Sequence, residues 1–341
     1  MSSPGVSGGS IVGRLDPQFN DKVVTGLERS RVVSMAVAVA PFADAGMWLR
    51  CALHAHTTRS DGELGPDELV RHYEGAEFDV LAITDHWIRT EAESTDRLLV
   101  IPSSELSCVL PGEADGHLLA FGIDEDPLEF VRTGPDLAAA AAWVGEHGGV
   151  AYLAHPYWTG VSPGGLSLGD GVAGLEVYNA GCELETGRGL STVHWDDLLE
   201  RGLHCFGIAA DDSHHGDLDS RFAWVWAHVA ERSQAAVLDA LATGSFYSST
   251  GPVLHELQVD DGVVEVRCSP CQRVTLCTRR QRGSSVSAGP SGYLHRGEIL
   301  SASDGGEITA ARLTIPPRVP FGRLELVDEY GRKAWTNPLW H

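Results

Sequence analysis

Positive charge is scarce in this chain of 341 residues. Lys and Arg number 25 against 47 Asp and Glu, a formal net charge of 25 − 47 = −22. A uniformly basic surface for nucleic acid is therefore excluded, although a local groove is not. The same charge disfavours docking on anionic membranes. Cysteine is sparse as well. Seven in this length are too few for a disulfide scaffold, and an odd number leaves one unpaired. Reduced thiols in the cytoplasm are the simpler reading. Long apolar runs are missing. The best, Val32 to Ala43, has twelve residues broken by Ser34 and Pro41, short of a membrane span. It follows Arg29 and Arg31 and imitates a secretory signal. A signal starts near residue 1, however, so a buried strand is expected there. No G-x-S-x-G elbow occurs, which removes the usual mark of a serine hydrolase.

What is present is ordinary globular material. Hydrophobic residues make up 43% and charged residues 21%, which excludes a disordered or fibrous chain. The length suits one large domain and a smaller one. Residues 1–46 read as an N-terminal extension, Gly- and Ser-rich and partly disordered, with one strand at Arg31 to Ala40. From Met47, short apolar runs alternate with helical stretches. The runs are WLRCAL, DVLAIT, LLVIP, HLLAFGI, GVAYLA, GLEVYN and CFGIAA. The clearest helices are Pro66 to Glu77, Pro135 to His147, Trp195 to Arg201 and Ser233 to Ala242. Prolines sit at two of their starts, and glycines (Gly148, Gly202, Gly244) at their ends. This alternation predicts an α/β domain over 47–251 with a mainly parallel sheet. After Gly251-Pro252 the helical periods disappear and short alternating runs take over, with a hairpin turn at Asp260-Asp261-Gly262. Residues 252–341 read as a small antiparallel β domain, sandwich-like.

The chemistry lies in where His, Asp and Glu fall. WLRCAL ends in His54-Ala-His56, with Asp61 five residues on. DVLAIT ends in Asp85-His86, and LLVIPSS in Glu105. His117 opens HLLAFGI, His155-Pro156 follows GVAYLA, and Asp211-Asp212-Ser213-His214 follows CFGIAA. Most lie just beyond the carboxyl end of an apolar run, the rim where parallel α/β proteins build sites. Imidazoles supply neutral nitrogen ligands, and carboxylates offset cation charge and bridge two cations. On a strand, His54-x-His56 and Asp212-x-His214 each point to one face. With Asp61, His86, Glu105, His117 and His155 they make nine candidate ligands, too many for one ion. A polynuclear metal site is the reading. Asp211 and His215 lie out of phase with their neighbours, and Glu176 is a candidate to support a ligand by hydrogen bond.

The segments LHAHTTRSDG, ITDHW, SSEL, GHLLAFG, LAHP and DDSH resemble, in this order, those of the PHP superfamily of polymerase and histidinol phosphatase domains. Within it, GLEVYN, STVHWDDLLERG, ADDSHH, FYSSTGPV and AWTNPLW resemble the metallohydrolase subgroup that includes carbaryl hydrolases. The resemblance implies an α/β fold, a distorted (β/α)7 barrel, here with the small C-terminal antiparallel β domain. It implies a first ion on His54, His56, Glu105 and Asp212, and a second on Glu105, His117 and His155. A third would take Asp61, His86 and His214. The cofactors expected are two or three divalent ions, Mn, Fe or Zn.

Resemblance and residues together predict metal-assisted hydrolysis. A water held between two cations loses a proton near neutral pH and becomes the nucleophile. The expected electrophile is the phosphorus of a small-molecule phosphoester, monoester or diester, and Arg59, Arg89 and Arg221 are candidates to bind its oxygens. Two other electrophiles stay open. One is the carbonyl of a carbamate or aryl ester, against a wall of Trp87, Tyr157 and Trp158. The other is phosphorus at nucleic-acid ends, which the acidic charge disfavours. His194 is a candidate proton donor to the leaving group, or else fixes the start of its helix. A non-catalytic metal-sensing module is the remaining class. Oligomeric state stays open.

Overall fold

The structure, a computed structural model, describes residues 45–112, 114–289 and 296–340. The expected strand at Arg31 to Ala40 and the apolar run Val32 to Ala43 lie outside the described residues.

Each of the seven apolar runs from Met47 onward becomes a strand. They are β1 (Met47–Ala52), β2 (Val80–Ile83), β3 (Leu99–Leu110), β4 (Ala114–Phe121), β5 (Val150–Leu153), β6 (Val172–Asn179) and β7 (Phe206–Ala210), side by side in that order. The helices between and after them are α1 (Pro66–Gly75), α2 (Leu128–Val131), α3 (Leu137–Glu146), α4 (Pro156–Thr159), α5 (Ala180–Thr186), α6 (Thr192–Glu200) and α7 (Gln234–Thr243). Local chemistry sets their ends. The side chains of Asp136, Asn179 and Ser233 cap α3, α5 and α7 by accepting from the backbone N–H of Ala139, Cys182 and Ala236. Gly244 stops α7 in the left-handed region at φ 78°, where a side chain would be strained.

Strands β1, β2 and β3 run parallel, as do β5, β6 and β7. Strand β4 runs antiparallel to both neighbours, so four of the six pairings from β1 to β7 are parallel and one strand is reversed. The cause is connection length. Only residues 111–113 separate β3 from β4, too few for the crossover that a parallel pair needs. The other edge of β1 is taken by β8 (Trp224–Val229), which pairs antiparallel with it and with β9 (Phe246–Ser249). β1 therefore does not pair with β7 along its length. One parallel bridge, Ala55 with Ser213, joins the segments that leave them. Strand β2 is buried on both faces, Val80 and Ala82 in one apolar cluster and Leu81 and Ile83 in another. Such burial suits a central parallel strand.

The remaining strands are β10 (Leu254–Asp260), β11 (Val263–Cys271), β12 (Arg273–Thr278), β13 (Ser284–Ser287), β14 (Glu298–Ala302), β15 (Ile308–Thr314), β16 (Phe321–Val327), β17 (Lys333–Thr336) and β18 (Leu339–Trp340). A separate antiparallel sheet has the order β10-β11-β15-β14. Its first hairpin turns at Asp261 and Gly262, both at positive φ (45° and 76°), as a two-residue turn of this kind requires. Strands β12, β13, β16, β17 and β18 instead extend the large sheet, through the pairing of β17 with β9. Hydrogen bonding thus runs on across the change of texture at residue 252. Leu254, Val264 and Leu313 of the small sheet share an apolar core with Val274, Leu324 and Leu326 of the large one.

Two polar contacts, one part-buried and one buried, tie the C-terminal strands to the first part of the chain. The Arg323 guanidinium donates from Nε and Nη2 to Asp196 Oδ1 of α6, at 2.9 and 2.6 Å. The Asn337 side chain accepts from the Gly207 N–H and donates to the carbonyls of Gly244 and Phe246. Asn337→Ala is expected to cost about 2–4 kcal/mol, because the buried Gly207 N–H loses its side-chain acceptor and the Gly244 and Phe246 carbonyls each lose a donor. A thermal melt checks this, with a fall of roughly 3–6 °C expected.

The seven cysteines are free; six are buried, and Cys268 and Cys271 lie in β11. No helix among the described residues is long and apolar enough to cross a membrane.

Candidate metal centre

The nine candidate ligands converge from segments far apart in the chain. His54 and His56 leave β1, and Asp61 lies in the turn after them. His86 follows β2, His155 follows β5, and Asp212 and His214 follow β7. Glu105 and His117 sit differently from the expected rim. Strand β3 does not stop at Glu105 but runs on to Leu110 as one arm of a hairpin with β4. Glu105 faces Leu119 and Ser107 faces His117, so Glu105 and His117 are diagonal neighbours on one face of that hairpin. Three residues at the site hold positive φ without being glycine: Trp87 at 63°, His155 at 25° and Asp212 at 56°. Backbone strain of this kind is retained where the surroundings over-determine it.

Glu105 is the hub. Its Oε1 lies 2.9 Å from His117 Nδ1 and 3.1 Å from His155 Nε2. Its Oε2 lies 3.2 Å from both His54 Nε2 and His56 Nε2, and 3.3 Å from His86 Nδ1. Asp212 Oδ1 is 3.2 Å from the same His54 and His56 nitrogens. Further out, Asp61 Oδ2 lies 3.4 Å from His86 Nε2 and 3.5 Å from His214 Nε2, and Asp61 Oδ1 is 3.4 Å from His56 Nδ1. Three groups could each hold an ion: His54, His56, Glu105 and Asp212; His56, Asp61, His86 and His214; and His86, Glu105 and His117. His155 reaches the last of these through Glu105 Oε1. The hub is sealed, with Glu105 1% exposed, whereas Asp61 is half exposed.

These close approaches are mostly not hydrogen bonds. His54 Nε2, His56 Nε2, His86 Nδ1 and His117 Nδ1 are buried without a hydrogen-bond partner among the described residues. Unpaired buried polar atoms are costly and rare. Ligand atoms about 2.1 Å from a common ion lie roughly 3.0–3.4 Å from one another, whether the site is octahedral or tetrahedral. The nitrogen–oxygen spacings fall in or beside that range, so the residues fit a divalent cation.

Buried partners orient the ligands. Glu176 accepts from His54 Nδ1, the His155 backbone N–H and Asn179 Nδ2, each at 2.8 Å. Asn179 Nδ2 also donates to Asp212 Oδ2 at 3.1 Å. The support expected of Glu176 is therefore in place, while sequence reading misses Asn179, whose only local signal is its position as the cap of α5. Asp85 also proves supportive. It takes hydrogen bonds from the Thr57 N–H and from the hydroxyls of Thr57, Ser60 and Thr90, fixing the turn that carries Asp61. Asp211 turns away to Tyr73 and to the N–H groups of Arg221, Phe222 and Ala223, and burial pushes its carboxyl up to about 6. Glu176→Gln is expected to weaken cation affinity 10- to 100-fold with the fold intact. Competition with a coloured chelator measures this.

Electrostatics follow from the packing. Burial disfavours the protonated His56 imidazole, but the Asp212 and Glu105 carboxylates outweigh it and hold the group up at about 9. His54 is raised in the same way, against burial, by Asp212, Glu105 and Glu176. Burial would raise Glu105, but the facing imidazoles of His54 and His117 hold it well below the usual range. His86 is pushed down, by burial and by His56 and His117. A ligand imidazole must be neutral, so cation uptake at His54 and His56 releases protons.

The other candidates are less united. Arg89 donates from Nε to the Ile123 carbonyl and pairs with Glu91, and Arg221 pairs with Asp217. Arg59 is exposed, and its guanidinium makes no ion pair among the described residues. His194 is buried, and its Nε2–H is donated to the Val161 carbonyl at 2.8 Å. That proton is engaged within the fold, and Nδ1 of the same ring has no hydrogen-bond partner among the described residues. Trp87, Tyr157 and Trp158 are 46%, 42% and 38% exposed. Trp158 Nε1 donates to Glu185, and Trp87 Nε1 to Ser107.

No protein-family model matches the chain, and no curated protein does. Among solved structures it is similar to a two-domain protein from Bacteroides vulgatus containing a predicted PHP-like metal-dependent phosphoesterase. The identity is 15%, with 86% of this chain and 96% of that one covered and a TM-score of 0.48. It is similar to a protein from Bifidobacterium adolescentis assigned as a metal-dependent phosphoesterase, at 17% identity over 50% of this chain and 90% of that one, TM-score 0.38. An amidohydrolase from Chromobacterium violaceum, with sulfate bound and no metal, matches at 17% identity over 50% and 89%, TM-score 0.34. Likeness at this level carries no argument about chemistry, which rests on the cluster itself.

Proposed function

We propose that the chain is a metal-dependent hydrolase of the PHP superfamily that cleaves a small-molecule phosphoester, monoester or diester. In this reading the strands from β1 to β7 form a distorted (β/α)7 barrel, residues 252–341 a β domain, and the cluster takes two or three ions of Mn, Fe or Zn. The observation that carries it is the division of Glu105, whose two oxygens face different sets of imidazoles. A carboxylate so placed is suited to bridge two cations. His54, His56 and Asp212 would complete one site, His117 and His155 a second, and Asp61, His86 and His214 a third.

When bound, the cations supply the Lewis acidity that lowers the pKa of a water and takes up negative charge on the ester oxygens. The chain does the rest. Glu176 holds the His54 ring and the His155 backbone, and Asn179 holds Asp212. The buried hub keeps bulk water from the carboxylates that carry the counter-charge. Arg59, exposed and in no ion pair among the described residues, would bind phosphoryl oxygens, whereas Arg89 and Arg221 would first have to leave Glu91 and Asp217. The unpaired cysteines suit the cytoplasm.

A second reading, carbonyl hydrolysis of a carbamate or aryl ester, is favoured by the exposure of Trp87, Tyr157 and Trp158 beside the ligands. One assay separates the two. Mn-loaded protein is given nitrophenyl phosphate, bis-nitrophenyl phosphate and naphthyl methylcarbamate, with His56→Ala as blank. Phosphate turnover lost in the blank is the expected result. Turnover of the carbamate alone would transfer the mechanism to carbon, and turnover of none would sink the hydrolase reading.

A further inference from the structure

We infer that the cleft opening onto Asp212 and His214 receives the leaving group, and that it selects an apolar, uncharged alcohol over an anionic one. This rests on the hydrolase reading above. The cleft has a volume of 510 Å³, within the range of small-molecule sites. Asp212 and His214 line it beside Trp158, Leu184 and Leu218. Leu184 and Leu218 are 60% and 76% exposed. A single exposed leucine needs no explanation. Here two of them and a tryptophan converge on one concavity that ends at the candidate ligands.

The wall is held in place by the same contacts that order the cluster. Leu184 lies on α5, whose cap, Asn179, also binds Glu176 and Asp212. Leu218 lies in the short turn Gly216–Leu218 that follows His214. The Trp158 indole is fixed by its donation to Glu185 Oε2 at 3.0 Å.

Charge sets the selectivity. Besides the candidate ligand Asp212, the carboxylates of Glu185 and Asp219 line the cleft, and no Lys or Arg does so among the described residues. Beyond the cations at its inner end, a phosphorylated, carboxylated or sulfonated leaving group would meet Glu185 and Asp219 and give up its hydration with no Lys or Arg as partner, while the remaining histidine of the lining, His215, already faces Glu63 at 3.3 Å. An aryl or alkyl alcohol would instead cover the exposed Trp158, Leu184 and Leu218 surface. The substrate class is thus a phosphoester of a hydrophobic alcohol rather than of a nucleotide.

The test compares 1-naphthyl phosphate with its 4-sulfonated analogue on the Mn-loaded protein, and separately the binding of 1-naphthol and 1-naphthol-4-sulfonate by calorimetry. The expected kcat/KM ratio favours the unsulfonated ester by about tenfold or more. Leu184→Arg and Leu218→Arg should each bring that ratio, and the ratio of the two naphthol affinities, toward one; both side chains are exposed, and circular dichroism checks the fold. Turnover of both esters with equal efficiency overturns the cleft assignment and leaves the hydrolase reading standing. Failure to turn over either ester, with naphthol binding preferred and lost in the arginine variants, upholds the cleft and removes the phosphoester reading. Equal binding of both naphthols overturns the assignment whatever the turnover.

Discussion

Glu105→Gln is expected to strip at least one cation from the protein and lower turnover by about 1000-fold, roughly 4 kcal/mol of lost transition-state stabilisation. Five imidazoles approach its two carboxylate oxygens within 3.3 Å. The amide keeps the shape but removes the charge. It also replaces one of the two acceptor oxygens with a donor NH2, so no bridge between two sites survives. Elemental analysis of the purified variant and kinetics under saturating Mn measure the two effects, with far-UV circular dichroism as the fold control. A variant with full cation content and turnover within tenfold of the parent would rule out Glu105 as a bridge. Asp61→Asn provides the contrast. Asp61 is half exposed and approaches three imidazoles, His56, His86 and His214, at 3.4–3.5 Å, against five for Glu105, so its loss should remove fewer ions and less rate.

Chelation is the second large effect. Removing the cations is expected to lower the melting temperature by about 6 °C. A ligand at a thousand times its Kd stabilises by about 4 kcal/mol, and each kcal/mol moves a protein of this size by roughly 1–2 °C. The direction with pH follows from the imidazoles. His54 and His56 have raised pKa values, about 9 for His56, so near neutral pH they carry protons that a cation must displace. Affinity therefore rises with pH towards about 9 and falls in acid. The difference in melting temperature with and without chelator should be larger at pH 8 than at pH 6. An identical melting temperature with and without chelator, at both values, would mean that the cluster does not hold a cation in the folded protein.

Much of this was legible residue by residue. The seven apolar runs became β1 to β7, and the turn at Asp261-Gly262 closed a hairpin. The nine His, Asp and Glu positions came together. Local patterns of period two, caps and glycine stops act over a few residues, and so are written in the chain itself. Where a run of buried strand ends, a polar side chain must find partners, and several such ends met at one place.

What the sequence by itself determined is therefore which side chains are available and at which strand ends they stand. Tertiary structure alone decided the rest, because it depends on residues far apart. Whether β3 stops at Glu105 depends on its antiparallel partner β4, and that pairing placed Glu105 inside a strand with His117 diagonal to it. The edge of β1 went to β8, about 180 residues away in the chain, and the large sheet ran on through β9 into β17 across the change of texture at residue 252. Asn179 and Asp85 became supports only because Asp212 and Thr57 were folded against them. The three arginines look alike in sequence, yet Glu91 and Asp217 hold two of them. A charged side chain's role depends on its neighbours in space, and no spacing along the chain states who those neighbours are.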